Sequence, residues 1–292
     1  MYWNNTNTNT LDISQVGAYK HFPHMSPTNL DGYNCDPLGP TPILFLGSCD
    51  LDGPIKDTNQ SWARLLHADL SLDAKKGQPL PYIAMGKMTA GFMAFPRRLN
   101  TFCEKFGPPN KLFAVIPRPA AVEIPLSTGE LVSVSNRHSF ADFLKKHGRI
   151  SDIDYNSLAN ASKFFQTQLH NETYQLYQFE QSASFLALIC KHYKIDFRWT
   201  MNLSASAIAY YQIYFTLFMA NCPFMLENFI GTAIASDFSF DGSMGDKSQH
   251  QIADLFIQTK NSRGFDMEET ISLLNINLNL ANSITPKVHR AL

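Results

Sequence analysis

The feature that most constrains this chain is a rhythm that starts at Pro42. Short runs rich in apolar residues, three of the four ending in glycine or proline, alternate with segments of helical periodicity. ILFLG (43–47), PYIAMG (81–86), KLFAVIPRP (111–119) and IDFRWTM (195–201) are the runs. Between the first two lies NQSWARLLHADLSL, where Trp62, Leu65, Leu66, Asp69 and Leu70 keep helical spacing and Asn and Ser precede as caps. FPRRLNTFCEKFG (95–107) places Leu99, Phe102, Cys103 and Phe106 on one side and is closed by Gly107-Pro108-Pro109. Strands that alternate with helices at this length predict a parallel sheet with helical crossovers. The 111–119 run is apolar throughout, as a strand covered on both faces should be. The expected fold is therefore α/β, a three-layer α/β/α sandwich on a mainly parallel sheet.

Residues 120 to 160 break the rhythm. AAVEIPLSTGELVSVSN alternates around a Thr-Gly turn and reads as a small hairpin, within about 120–150, inserted at the sheet's edge. One long helical region follows over 157–194, with Phe164, Phe165, Leu169, Tyr174, Tyr177 and Phe185 supplying its apolar faces. SQHQIADLFIQTK (248–260) reads as a closing helix, and MEETISLLNINLNLA beyond Gly264 as a further helix-like piece. Residues 1–40 are rich in Asn and Thr without periodicity, the composition of an arm that orders against a partner. The expected division is thus an N-terminal arm (1–40), an α/β domain (41–262) and a C-terminal extension (263–292).

Charge and cysteine usage exclude several classes. Lys plus Arg total 24 and Asp plus Glu 25, a net charge of -1, without the basic surplus that nucleic-acid binding requires. Five cysteines (Cys35, Cys49, Cys103, Cys190, Cys222) are scattered with no CxxC pair, which argues against zinc and for buried, reduced thiols. No metal and no cofactor are expected. The N-terminus lacks the basic start and apolar run of a signal peptide. The apolar region 203–235 is interrupted by Asn221, Pro223, Glu227 and Asn228, so no membrane span is expected.

The first strand carries the chemistry-bearing turn. In ILFLGSCDLDG, Gly47 lets the chain bend and Ser48, Cys49 and Asp50 crowd the carboxyl end of the strand, where ligands collect in α/β sheets. This turn, the helix with SWARLL, Gly86 after the second strand, VIPR after the third and DFSFDGSMGDKSQHQIADLF near the end come in an order that resembles the SGNH (GDSL-like) hydrolases. The closest likeness is to variants encoded by bacteriophages, and it runs from about residue 42 to 260.

That resemblance implies a serine nucleophile in the first block, backbone and glycine donors for the oxyanion, an Asn donor after strand three, and a late Asp-x-x-His base. Such a set is what acyl transfer needs: a base to activate the nucleophile and preplaced donors for the oxyanion. Carried across, Cys49 stands at the nucleophile, Ser48 at the preceding aspartate, and Gly86 at the second-block glycine. Arg118 and Pro119 occupy the place of the Asn, and Asp241-Gly242-Ser243-Met244 puts Met244 at the histidine. A thioether takes no proton, so Met244 is no base. His250 is the alternative base, or else a surface or capping residue. Arg118 reads as an anion contact or as a salt-bridge or assembly contact, and Trp62 as core.

Two blocks lack their reacting group, so the expected function is a catalytically degenerate, SGNH-hydrolase-like structural protein. The resemblance implies a virion or phage-tail component, assembled in the host cytoplasm beside other protein subunits. The alternatives are an esterase or carbohydrate deacetylase using Cys49 or Ser48 with His250, and a module binding host-surface glycan on the relic cleft.

Overall fold

The computed structural model describes residues 43–47, 51, 61–72, 82–85, 91–117, 121–125, 131–135, 141–142, 145, 150–169, 172–203, 222–234 and 244–260. Five parallel strands form its sheet: β1 (Ile43–Leu46), β2 (Tyr82–Met85), β3 (Lys111–Ile116), β6 (Asp196–Leu203) and β7 (Phe229–Ile234). Their order across the sheet is β2-β1-β3-β6-β7, and every pairing is parallel. Counted within this sheet alone, that is the doubly wound order 2-1-3-4-5. The expected α/β/α sandwich is therefore the observed architecture.

Period-two alternation divides the strand residues between two helical layers. Leu44, Leu46, Leu112, Ala114, Ile116, Phe197, Trp199 and Met201 enter one core together with α2 (Ala94–Phe106) and α4 (Glu172–Tyr193). Ile43, Phe45, Phe113 and Val115 enter the other, with α1 (Trp62–Leu72) and α6 (Asp246–Thr259). On that second face Phe45 meets Trp62 edge-on at 5.5 Å, and Trp62 stacks on Phe256 at 5.4 Å. Such ring pairs add about 0.5–1.5 kcal/mol each beyond their buried area. The first and last helices of the described chain are thereby clamped to its central strands.

Several elements follow the sequence reading closely, and others do not. The strand read over 111–119 ends at Ile116, and the one read over 195–201 continues to Leu203. The long helical region read over 157–194 begins earlier and has two parts: α3 (Asp152–Phe164) runs into a π-helical stretch, Phe165–Leu169, and α4 begins at Glu172. The residues that supply its apolar faces are not all covered. Phe165 is buried, but Phe164, Tyr177 and Phe185 are exposed. Helical spacing locates a face without saying whether anything covers it.

β7 and the short α5 (Pro223–Glu227) escaped the reading, because both lie in an apolar stretch without distinctive periodicity. The expected hairpin is present as β4 (Ala121–Pro125) paired antiparallel with β5 (Leu131–Ser135). It forms a separate two-stranded sheet, however, instead of extending the edge of the main one. Glu123 fixes it to α2 by accepting from Arg97 Nη2 at 2.7 Å and Nε at 3.3 Å. The arm over 1–40, the extension over 263–292 and its helix-like piece lie outside the described residues.

Candidate functional site

In a doubly wound sheet the carboxyl ends of the strands form the edge where chemistry is built. Here that edge follows Leu46, Met85, Ile116, Leu203 and Ile234. β1 enters it fully buried, and Gly47 N–H donates to the Met85 carbonyl at 3.4 Å, tying the ends of β1 and β2 together. Leu51, just past the first-block turn, is fully buried in the same core as Phe45. Ser48, Cys49, Gly86, Arg118 and Asp241 lie outside the described residues, so the structure gives no geometry for those expected site positions.

Met244 and His250 are both described. Met244 is 3% exposed and belongs to the buried cluster that holds Phe45, Leu51, Trp62 and Phe113. Its thioether lies 3.6 Å from Asn202 Nδ2, close enough for a weak N–H···S contact. Asn202 stands near the carboxyl end of β6, and its buried Oδ1 has no hydrogen-bond partner among the described residues. At the position that the resemblance gives to the base, the side chain is thus an apolar core residue that, among the described residues, receives one weak polar contact on sulfur.

His250 sits on the exposed side of α6. Its Nδ1 lies 2.8 Å from the Asp246 carbonyl oxygen one turn earlier, and because a carbonyl only accepts, this nitrogen donates. The buried face of the helix is carried instead by Ser248, Gln249, Ile252, Ala253 and Phe256.

Sequence reasoning missed two polar residues that matter here. Gln249, fully buried, accepts the Trp62 backbone N–H on Oε1 at 2.7 Å and so caps the first turn of α1 from 187 residues away. Ser61, which the sequence offered as a cap, reaches Arg64 N–H at 3.4 Å. No local motif announces a cap supplied by another helix. Asn202 was missed because the strand was read as ending at residue 201. Its one sequence signal is a polar side chain just after an apolar run, at the edge where sites form.

Two of the three described thiols, Cys103 and Cys190, offer no nucleophile. Cys103 and Cys190 are buried, and burial pushes the Cys103 thiol from the usual 9.0 to about 12 and raises Cys190 as well. Thiolate is the reactive form, so both are inert at neutral pH. Among the described residues no cluster of three His, Cys, Asp or Glu side chains is placed to hold a metal. None of the described helices is long and apolar enough to cross a membrane.

The fold and this edge define a doubly wound α/β/α protein with a parallel five-stranded sheet. No family model and no curated protein matches the chain in sequence. Among solved structures it is similar to an acetyl xylan esterase from the rumen bacterium Butyrivibrio proteoclasticus, at 9% identity and a TM-score of 0.41, over 77% of this chain and 64% of that one. It is also similar to a carbohydrate esterase whose active site is described as having divergent catalytic and non-catalytic binding functions. That match has 11% identity and a TM-score of 0.39, over 75% of this chain and 64% of the other. The chain therefore spans just under two thirds of the length of each.

Proposed function

We propose that this chain is an SGNH-hydrolase-like protein whose hydrolytic centre has been filled by core packing and which serves as a non-catalytic subunit of a protein assembly, a virion or tail component. One observation carries the reading: Met244, aligned with the base histidine, is buried against the sheet and offers sulfur where a proton acceptor is required. Acyl transfer by serine or cysteine depends on an imidazole or equivalent base within hydrogen-bond reach. The strand order 2-1-3-4-5 and the order of the motifs support the family reading, and the phage-like flavour of those motifs supports the assembly.

Hydrolysis of p-nitrophenyl acetate tests it. The full chain, Cys49→Ala and His250→Ala should all hydrolyse the ester at the rate set by buffer and denatured protein. Turnover well above that background, lost in Cys49→Ala, would sink the proposal and restore the esterase reading. The assembly half is tested separately by cross-linking mass spectrometry on the native particle, which should return contacts between this chain and other subunits.

A further inference from the structure

We propose that the outer face of α4 docks onto itself: it is covered by the same helix of a second copy of this chain, antiparallel, around a two-fold axis. This holds whether or not the sheet edge is catalytic, and whether or not the chain joins a virion. Tyr177, Phe185 and Leu188 are 56%, 48% and 63% exposed. At 3.6 residues per turn they fall within an arc of about 80° and span roughly 16 Å of the helix. The opposite face of α4 is already spent on the core through Phe179, Ala183, Leu186 and Cys190. A single exposed apolar side chain is ordinary, but three aligned on one helix mark a contact surface.

Charge decides which occupant fits and in which direction. Glu180 and Lys191 are both exposed and lie within about 20° of each other along one border of the stripe. A two-fold antiparallel pair sets that border against itself in reverse order, so each Glu180 approaches the Lys191 of the other copy. A parallel pair would set glutamate against glutamate and lysine against lysine. The antiparallel order also brings opposite ends of the helix dipoles together. A net charge of -1 leaves little long-range repulsion between copies.

The same residues set the register. Ser184, small and exposed, lies between Tyr177 and Leu188 beside the stripe. With the axis passing Ser184, Tyr177 stands about 4.5 Å along the helix from Leu188 of the second copy. Glu180 stands at the same offset of about 4.5 Å from Lys191 of that copy, within reach of the two side chains. Lys191 also lies over the Phe224 ring of its own chain, 5.1 Å from the centroid. The exposed parts of the three apolar side chains amount to on the order of 300 Å² per copy. A standard interface uses about 800 Å² per partner, so this pair is weak and depends on concentration.

Sedimentation velocity of the full chain in low-salt buffer, across roughly 1–200 µM, tests the pairing. A monomer–dimer equilibrium is required within that range. Leu188→Glu should weaken it about a hundredfold, since each dimer loses two buried leucines at about tenfold each. Glu180→Lys and Lys191→Glu should each weaken it severalfold by setting like charges together at both ends of the pair. An equimolar mixture of those two variants should dimerise more tightly than either alone, because every pair across the axis is then opposite in charge. Lost packing of Lys191 on Phe224 cannot produce that recovery. A monomer throughout, association unmoved by Leu188→Glu, or no recovery in the mixture would each overturn the proposal.

Discussion

Truncating Met244 measures how completely the expected base position has been converted to core. In Met244→Ala three non-hydrogen atoms leave a site that is 3% exposed. At about 0.8 kcal/mol for each methylene-sized group, the lost transfer energy is about 2.4 kcal/mol. Partial collapse of the surrounding residues leaves a cavity on the order of 40 Å³, which at about 24 cal/mol per Å³ adds roughly 1 kcal/mol. The expected loss is therefore about 3 kcal/mol. With a urea slope of about 3 kcal/mol/M, appropriate to the upper end for small proteins, the unfolding midpoint falls by roughly 1 M. Met244→Leu keeps the volume and should lose less than about 1.5 kcal/mol. Equilibrium urea denaturation followed by tryptophan fluorescence suits the experiment, because Trp62 belongs to the same buried cluster. If Met244→Ala and wild type unfold at the same urea concentration, Met244 does not pack the core and the filled-site argument collapses.

Other consequences are equally open to measurement. Gln249→Leu leaves the Trp62 N–H buried without its acceptor, and should cost about 2 kcal/mol by the same denaturation assay. Arg97→Ala and Glu123→Ala, alone and together, should show a coupling of roughly 1 kcal/mol in a double-mutant cycle, since the pair is forked but partly open to solvent. Cys103 should resist iodoacetamide at pH 8 in the folded protein and react once denatured, as read by mass spectrometry. Its folded pKa is raised from 9.0 to about 12. The stability linked to that shift is full below pH 9 and is lost as pH rises toward 12, because the unfolded thiol ionises first.

The sheet was legible because four of its strands are apolar runs set between helices with clear periodicity. Ile43 to Leu46 and Lys111 to Ile116 announce buried parallel strands by composition alone. β7 was not legible. Its FIGTAI holds Gly231 at a positive φ of 115° and follows other apolar sequence, so nothing marks it as separate. For Phe164, Tyr177 and Phe185 periodicity correctly indicates helix, while their exposure depends on neighbours that periodicity does not report. At the candidate site, Met244 was found by counting from Asp241 in a family pattern. Asn202 and Gln249 act across long sequence distances, through contacts that only the folded chain reveals.

The cap that Gln249 provides to α1 has a consequence for synthesis. The helix at residues 62–72 leaves the ribosome long before its closing partner, with 187 residues separating the bonded pair. At about 5–20 residues per second, that interval lasts roughly 10–40 s. Throughout it the nascent chain presents Trp62 with neither its acceptor nor the Phe256 ring that finally stacks on it. A newly made chain should therefore be most dependent on chaperones during translation and should gain protease resistance abruptly, once the residues through Thr259 have been released.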